Sequence, residues 1–327
     1  MKISKHSKFN IFIKFFVISL MLFSKFSLSG KLCELPTFIK GNITLNKSCM
    51  YSGGLTIADS HTLLDCNGAK IDASKFKDGI VISSKGKEIT NITIKNCIIK
   101  NAQESGIRSS WLGRDINKSK ELKRYLKTPH KITIENVEII KSGKNGIFID
   151  DYSSFITIKK SIIKDSGSTA IYIEHDSKNN IIDSNLIEFN GFKDGIPKRE
   201  GLAIDSSQHN TIINNRFINN GLGGIFIYKN CSERIHSGKQ EIRKMHSNYN
   251  VIEGNHFENE KIGIWLASRQ NKNLKKMDCG DEPIDMNGTY FRDYADHNKV
   301  INNLFISVNA PIIDLGKENY ISGSVIH

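Results

Sequence analysis

The stretch that decides the fold is residues 201–227, GLAIDSSQHNTIINNRFINNGLGGIFI. It contains two short patterns. In the glycine phrase, a glycine is followed by alternating apolar residues. In the asparagine phrase, two asparagines precede an apolar residue. The glycine phrase starts at Gly79, Gly146, Gly201, Gly224 and Gly263, and the asparagine phrase recurs as Asn180/Asn185/Ile187, Asn210/Asn215/Phe217, Asn250/Asn255/Phe257 and Asn298/Asn303/Phe305. Alternation predicts strands, and a long-range repeat predicts stacked coils. The sequence therefore predicts an all-β right-handed parallel β-helix of about nine coils, with Ile, Leu, Val and Phe columns inside.

Asparagine suits the turns of such a coil for two reasons. It tolerates the left-handed backbone conformation. Amides that are stacked from coil to coil can also hydrogen-bond along the column.

Residues 1–29 have the pattern of a secretory signal peptide. Lysines and an apolar run precede small residues at the spacing that a signal peptidase prefers: Lys2, Lys5, Lys8, Phe9–Phe23, Ser27 and Ser29. An uncleaved anchor is the alternative, but Lys14 and Lys25 leave too short a span. We expect a secreted or periplasmic protein, with 30–327 as a single domain that has no later membrane span.

The chain is basic, with a net charge of +12. The predicted leader holds five lysines and no acidic residue, so its removal leaves +7. A basic exported protein favours polyanionic partners. A Lys-rich, Asn-rich genome would give the same charge, so charge alone does not choose between these interpretations.

All six cysteines follow the predicted leader. An even number in an exported chain predicts disulfides, and metal binding is the alternative, although no Cys-x-x-Cys spacing is present. The predicted pairs are Cys33–Cys49, Cys66–Cys97 and Cys231–Cys279.

The spacing of the repeat locates four insertions, at 109–130, 191–200, 230–249 and 269–297. Three of them leave from the same turn, and 191–200 approaches the same strand from its other end. Long excursions from a compact coil usually carry function. We expect them to form two walls along one sheet.

Side chains alternate between the two faces of a strand, so the residues between the buried isoleucines point outward. This predicts an outward aromatic row, interrupted at Ala203, with arginines beside it: Phe148, Tyr172, Phe226, Trp265, Arg108 and Arg199. Sugar rings stack on aromatic side chains, so we assign these residues to substrate binding. The alternative is that the inserted loops cover the row as a satellite core.

A column of acids lies two residues further along the strands than the aromatic row. It consists of Asp150, Glu174 and Asp205. Neighbouring carboxylates repel one another and do not all ionise cheaply without a cation. They predict either a Ca²⁺ site, which needs several oxygen ligands, or a carboxyl group with a raised pKa. Solvated acids at strand ends are the third interpretation. The expected cofactor is therefore none or Ca²⁺.

Candidate catalytic residues lie at the same strand ends, namely His175, Tyr228, Lys229 and Arg269. Removal of the C5 proton of a uronate needs a group that neutralises the carboxylate, a base, and an acid for the leaving oxygen. These side-chain types can supply all three functions. Lys229 or His175 is the predicted base, and Tyr228 or Arg269 the predicted proton donor.

With these residues the chain resembles the β-helix superfamily of polysaccharide lyases and mannuronan C5-epimerases. Glu174-His175-Asp176 is similar to the epimerases' Asp-Pro-His-Asp motif without its proline. Lys229-Asn230-Cys231 is similar to their Lys-Arg-Cys, with asparagine in place of the carboxylate-neutralising arginine. The resemblance to epimerases implies His175 as the base at C5. Resemblance to calcium-dependent lyases implies a lysine base and an arginine acid, here Lys229 and Arg269.

The sequence thus predicts a β-elimination lyase that acts on an acidic polysaccharide, as a monomer and without nucleic acid. The alternatives are a uronate C5-epimerase, a glycoside hydrolase of pectin-like polymers, and a non-catalytic carbohydrate-binding or adhesion solenoid. Asp150 and Asp205, two coils and about 9.6 Å apart, would fit an inverting hydrolase. The adjacent pair Asp150–Asp151 is similar to the acids of pectin hydrolases, but their Gly-His-Gly companion is absent.

Overall fold

Strands dominate the protein in the computed structural model, which describes residues 31–111, 119–150, 152–230, 243–275, 277 and 279–327. The predicted signal peptide lies outside these residues and stays a prediction. Among the described residues, no helix is both long and apolar enough to span a membrane.

Three long parallel sheets, called A, B and C, run along the molecule, and each turn of the chain adds one strand to each of them. Sheet A consists of Lys31–Leu32, Cys49–Ser52, Lys70–Asp72, Ile98–Lys100, Glu138–Ile140, Ile162–Lys164, Leu186–Glu188, Arg216–Ile218, His256–Glu258, Leu304–Ile306 and Val325–Ile326. Sheet B consists of Phe38–Ile39, Leu55–Ile57, Asp78–Ser83, Ser105–Ser110, Ile147–Ile149, Ile171–Ile173, Leu202–Asp205, Ile225–Tyr228, Ile262–Leu266 and Ala310–Asp314. Sheet C consists of Asn42–Thr44, Leu63–Asp65, Ile89–Lys95, Pro129–Glu135, Ser154–Lys159, Ile181–Asp183, Thr211–Ile213, Val251–Glu253, Lys299–Ile301 and Tyr320–Ser322.

The predicted right-handed parallel β-helix is confirmed. Sheets B and C each have ten strands in the described residues, against the expected nine or so coils. The predicted inward columns are also confirmed: Ile147, Ile149, Ile171 and Ile204 are buried in one continuous core. The core is continuous because each coil buries its apolar face only against the coils next to it.

Buried asparagines form ladders at the turns, as the repeat predicted. In one ladder Asn185 Nδ2 donates to Asn215 Oδ1 (2.9 Å), and Asn215 Nδ2 donates to Asn255 Oδ1 (3.0 Å). The left-handed conformation belongs to the residue before a ladder asparagine, such as Asn179 and Asn214, and not to the ladder asparagine itself. One residue therefore makes the turn and the next one satisfies the buried backbone.

Two short elements depart from the three sheets. Helix Glu121–Lys127 lies in the first predicted insertion, and strands Phe192–Lys193 and Ile196–Pro197 form an antiparallel hairpin in the second. The hairpin and the segment 269–297 flank the same stretch of sheet B, because Arg199 and Arg269 both reach the ring or hydroxyl of Tyr228.

Disulfides Cys33–Cys49 and Cys66–Cys97 are present as predicted, near the start of the described residues. The third predicted pair, Cys231–Cys279, includes a residue outside the described part of the chain and stays a prediction.

Candidate functional site

The outward row on sheet B has the predicted register. Parallel pairing aligns Arg108 with Phe148, Phe148 with Tyr172, and Tyr172 with Ala203. Ala203 in turn aligns with Phe226, and Phe226 with Trp265. The row is therefore one column along the molecule, with its gap at Ala203.

The row lines a cavity at one end and packs into a hydrophobic cluster at the other, and Tyr172 takes part in both. Phe148 and Tyr172 stack with ring centroids 5.5 Å apart, and both line a cavity. Phe226 packs edge-on against Trp265, in a cluster with Leu222 and Ile262. Phe226 is only 5% exposed and lies in a satellite core, as the alternative interpretation of the row describes, and the assignment of the row to substrate binding stays a prediction.

Arginines cover the aromatic rings. Arg108 lies 5.0 Å from the centroid of Phe148, and Arg199 lies 5.4 Å from that of Tyr172. Cation–π contacts of this kind attract a guanidinium to the ring face. A sugar in this part of the molecule would therefore meet guanidinium groups before it met the rings.

The cavity over sheet B has a volume of about 280 Å³. Its described lining is mainly polar and carries more positive than negative groups: Arg108, Lys144, Arg199, Arg243 and Arg269 against Glu104 and Glu174. A concave surface that holds one sign of charge concentrates ligands of the opposite sign. Acids beneath the lining pair with three of these arginines, namely Asp150 with Arg108, Glu200 with Arg199 and Asp205 with Arg243, so an anionic ligand would share these guanidinium groups with them.

Arg243 lies between two of the three predicted calcium ligands. It forms a short hydrogen-bonded ion pair with Asp205, and its Nη2 donates to Glu174 Oε2 at 2.7 Å. Burial alone would lower the pKa of Arg243, but the charges of Asp205 and Glu174 outweigh it and raise that pKa well above its usual value. The third acid, Asp150, accepts from Arg108 Nη2 at 2.8 Å.

Asp205 is a hub beneath the cavity. Its carboxylate is fully buried and accepts from the Tyr172 hydroxyl (2.7 Å), the Asn230 backbone (2.7 Å) and Asn230 Nδ2 (2.9 Å). Burial and the negative charge of Asp205 raise the pKa of Tyr172 well above its usual value. Tyr172 is therefore a protonated phenol at neutral pH.

Tyr228 is enclosed in a second network. Its hydroxyl accepts from Arg199 Nη2 (2.8 Å) and donates to Glu200 Oε1 (3.1 Å), while Arg269 covers its ring at 4.5 Å. Burial and the charge of Glu200 raise the pKa of Tyr228. Tyr228 does not line the cavity, so it positions Arg199 and Arg269 there instead of facing a ligand itself.

The two predicted bases do not line the cavity either. His175 is 0% exposed, has a left-handed backbone (φ 54) and packs against Tyr152. Lys229 is 2% exposed, and its Nζ pairs closely with Asp281. The end of the strand explains both placements, because the regular alternation of side chains stops there and each side chain turns into a loop contact.

The sequence missed Arg243 as a site residue. It comes from the predicted insertion 230–249, where no periodicity says which side chain returns to the sheet. The only available signal was a basic residue in a segment already assigned to a wall of the groove.

Two family models match the chain in part. "Right handed beta helix region" matches residues 116–238, and "Periplasmic copper-binding protein (NosD)" matches residues 197–322. The chain is a right-handed parallel β-helix protein. No curated protein sequence matches this β-helix chain.

Solved structures share the fold of this β-helix protein at low sequence identity. An exopolygalacturonase from Thermotoga maritima is similar with a TM-score of 0.52 at 11% identity, over 87% of this chain and 54% of its own. A double mutant of the periplasmic alginate epimerase AlgG gives 0.50 at 14% identity, over 89% and 76%. An alginate lyase from Paenibacillus sp. gives 0.45 at 12% identity, over 89% and 98%.

Neither Ca²⁺, which the sequence analysis considered, nor copper, which the second family model names, fits the donors at this site. Guanidinium groups contact Asp150, Glu174 and Asp205, at the places where the sequence assigned a Ca²⁺ ion. Copper sites use imidazole and sulfur ligands. Within the described ranges, no group of three or more His, Cys, Asp or Glu side chains could hold a metal ion.

Proposed function

We propose that this β-helix protein acts on an acidic, uronate-containing polysaccharide and cleaves it by β-elimination in the cavity over sheet B. The observation that carries the proposal is the lining of that cavity, where four arginines and a lysine outnumber two acids among the described residues. Guanidinium groups bind carboxylates through two parallel hydrogen bonds. The fold likeness to an exopolygalacturonase and an alginate epimerase supports this substrate class by analogy only.

Elimination requires that a cation neutralise the negative charge of the sugar carboxylate. The C5 proton becomes acidic only when a cation withdraws charge from the adjacent carboxylate. Arg199 and Arg269 line the cavity side by side, since both contact Tyr228. We assign this pair to the substrate carboxylate.

Two side chains of the cavity can move the protons. Glu174 is the proposed base that takes the C5 proton, in place of His175 and Lys229, which do not line the cavity. Tyr172 is the proposed donor to the leaving C4 oxygen: its phenol is protonated at neutral pH, and it would exchange its hydrogen bond to Asp205 Oδ2 for one to that oxygen. The C4–O bond breaks as the C4–C5 double bond forms, which leaves one unsaturated end and one reducing end.

The second candidate is a carbohydrate-binding solenoid without catalysis. The observation in its favour is that Glu174 Oε2 already accepts a hydrogen bond from Arg243 Nη2, so this oxygen is not free to take a proton from a ligand. A hydrolase has less support, because neither Asp150 nor Asp205 lines the cavity, whereas Glu174 does.

The site chemistry is tested by the single variants Glu174→Gln and Tyr172→Phe. A lyase loses turnover by roughly 10²–10⁴-fold in each variant, while binding of the polymer changes little. Exchange of the C5 hydrogen without chain cleavage identifies an epimerase. If the wild type shows no turnover and the variants lose only binding of the polymer, the protein is a binding solenoid.

The site of action proposed for the protein is the periplasm or the cell exterior. Disulfides Cys33–Cys49 and Cys66–Cys97 support an oxidising compartment, as does the leader pattern in the sequence. We further propose that the protein works as a monomer and does not bind nucleic acid.

A further inference from the structure

Asn230 lies at the end of strand Ile225–Tyr228 and lines the cavity, although it is only 3% exposed. Its backbone N–H and its Nδ2 both donate to the carboxylate of Asp205, at 2.7 and 2.9 Å. The same carboxylate holds Tyr172 and Arg243. Asp205 therefore fixes three side chains of the cavity at once.

Chemistry fixes the orientation of the Asn230 amide. An ionised carboxylate only accepts hydrogen bonds, so the amide must direct its NH₂ group, not its oxygen, toward Asp205. The Oδ1 atom then faces the other way. In the part of the chain that the structure describes, this buried Oδ1 has no hydrogen-bond donor.

Unpaired donors lie in the same lining. Arg243 is 3% exposed and its Nε has no acceptor, and Nε of Arg269 is also unpaired within the described residues. A buried polar group without a partner is uncommon in native proteins and costs free energy. One buried acceptor among several cationic donors is complementary to a group that presents a hydroxyl beside a carboxylate.

We infer that Asn230 determines specificity: its Oδ1 accepts a hydrogen bond from a sugar hydroxyl of the uronate whose carboxylate the arginines bind. The cavity then takes uronates with that hydroxyl free and rejects those in which it is acetylated. A site built around a substrate hydroxyl discriminates strongly, since an analogue without the hydroxyl leaves the protein group unpaired. This inference rests on the proposed function and adds the requirement that the bound uronate carry a free hydroxyl.

The test compares surface-immobilised oligogalacturonates and oligomannuronates with the same oligomers after O-acetylation. The wild-type protein should bind the free oligomers roughly ten- to a hundred-fold more tightly than the acetylated ones. Asn230→Ala should bind the free oligomers more weakly by a similar factor and should no longer distinguish the two forms. Asn42→Ala, an exposed asparagine on the first strand of sheet C, is the matched control and should keep the preference.

The comparison of the two oligomer forms on wild-type protein does not depend on the folding of any variant. Equal binding of free and acetylated oligomers by the wild type would overturn the inference and leave the proposed substrate class intact. A melting temperature of Asn230→Ala close to that of the wild type, together with an undiminished preference, would also overturn it. Binding of neither oligomer form by the wild type would overturn both the inference and the proposed function.

Discussion

Arg243 is the residue on which the charge balance of the site depends. Its guanidinium, itself buried, contacts two buried carboxylates, those of Glu174 and Asp205. A buried ion pair contributes little net free energy when both partners are present, but the loss of one partner leaves uncompensated charge in the interior.

Replacement of this residue, Arg243→Met, should lower the free energy of unfolding by about 3–5 kcal/mol, because two carboxylates lose their counter-charge. Equilibrium unfolding in urea measures the effect. The control is Arg216→Met on sheet A, whose partner Glu258 lies 3.6 Å away in a partly exposed pair, and it should change stability by less than about 1 kcal/mol. Equal losses in the two variants would contradict this account of the site.

Glu260 is a second residue with a buried charge. It terminates an asparagine ladder, accepts from Asn220 Nδ2 at 2.7 Å, and burial raises its pKa from 4.5 to about 8. Because the folded-state pKa lies above the unfolded value, folding favours the protonated acid. The stabilising effect of protonation is complete below pH 4.5 and is lost as the pH rises through about 8.

A neutral amide in its place, Glu260→Gln, should therefore stabilise the protein at pH 8 or above, by on the order of a few kcal/mol. Near pH 4 the variant and the wild type should be nearly equal in stability. Thermal melting across this range measures the difference, with Glu258→Gln as the partly exposed neighbouring control. A gain that is the same at every pH would show that ionisation of Glu260 is not its cause.

At the scale of strands and loops, the alternation of side chains predicted which residues of a strand point outward. It did not predict where side chains point once the strand has ended. Phe148, Tyr172 and Ala203 occupy the predicted register because parallel strands without bulges preserve the count from coil to coil. Strand Ile171–Ile173 ends before His175, whose left-handed backbone takes the ring out of the alternating pattern. Side chains in turns follow local contacts that periodicity does not encode.

The insertion 269–297 depends on one buried acid for its attachment. Asp293 accepts from the backbone N–H groups of Lys229 and Arg269, both at 2.8 Å, and burial raises its pKa to about 7. It thereby joins the insertion to the end of strand Ile225–Tyr228 and to the insertion's own first residue. Lys229, predicted as a base, has an anchoring role here through Asp281.

Removal of this acceptor in Asp293→Ala leaves two backbone donors unpaired, which costs about 1–3 kcal/mol for each of them. The insertion should then open locally, and limited proteolysis should cut it roughly tenfold faster or more. Glu282→Ala, an exposed residue of the same insertion, is the matched control and should be cut at the wild-type rate. Unchanged cleavage of Asp293→Ala would contradict the anchoring role.

At the scale of the whole molecule, the repeat determines the architecture and the insertions determine the chemistry. The fold and the row of residues over the sheet could be predicted because they follow from a period. The position of Arg243, the covering of Phe226 and the burial of Lys229 could not, because they depend on how irregular segments pack back onto the coils.

The charge of the whole molecule predicts a dependence on salt. Net charge is +12 for the full sequence and +7 without the predicted leader, and arginines line the cavity, so affinity for a uronate polymer should fall as ionic strength rises from about 0.05 to 0.5 M. Affinity for a neutral polymer should stay flat. Arg269→Gln should reduce the slope more than Arg216→Gln does, because Arg269 lines the cavity and Arg216 lies on sheet A. Equal slopes would locate the binding surface outside the cavity.

One time course tests most directly whether β-elimination of a uronate polymer takes place in this cavity. The purified protein is incubated with polygalacturonate, polymannuronate, polyguluronate and a neutral glucan, and the ultraviolet absorbance of the unsaturated product is followed. We expect rising absorbance with at least one uronate polymer and none with the glucan, and loss of the signal in Glu174→Gln. New reducing ends without any rise in absorbance would contradict β-elimination in this cavity.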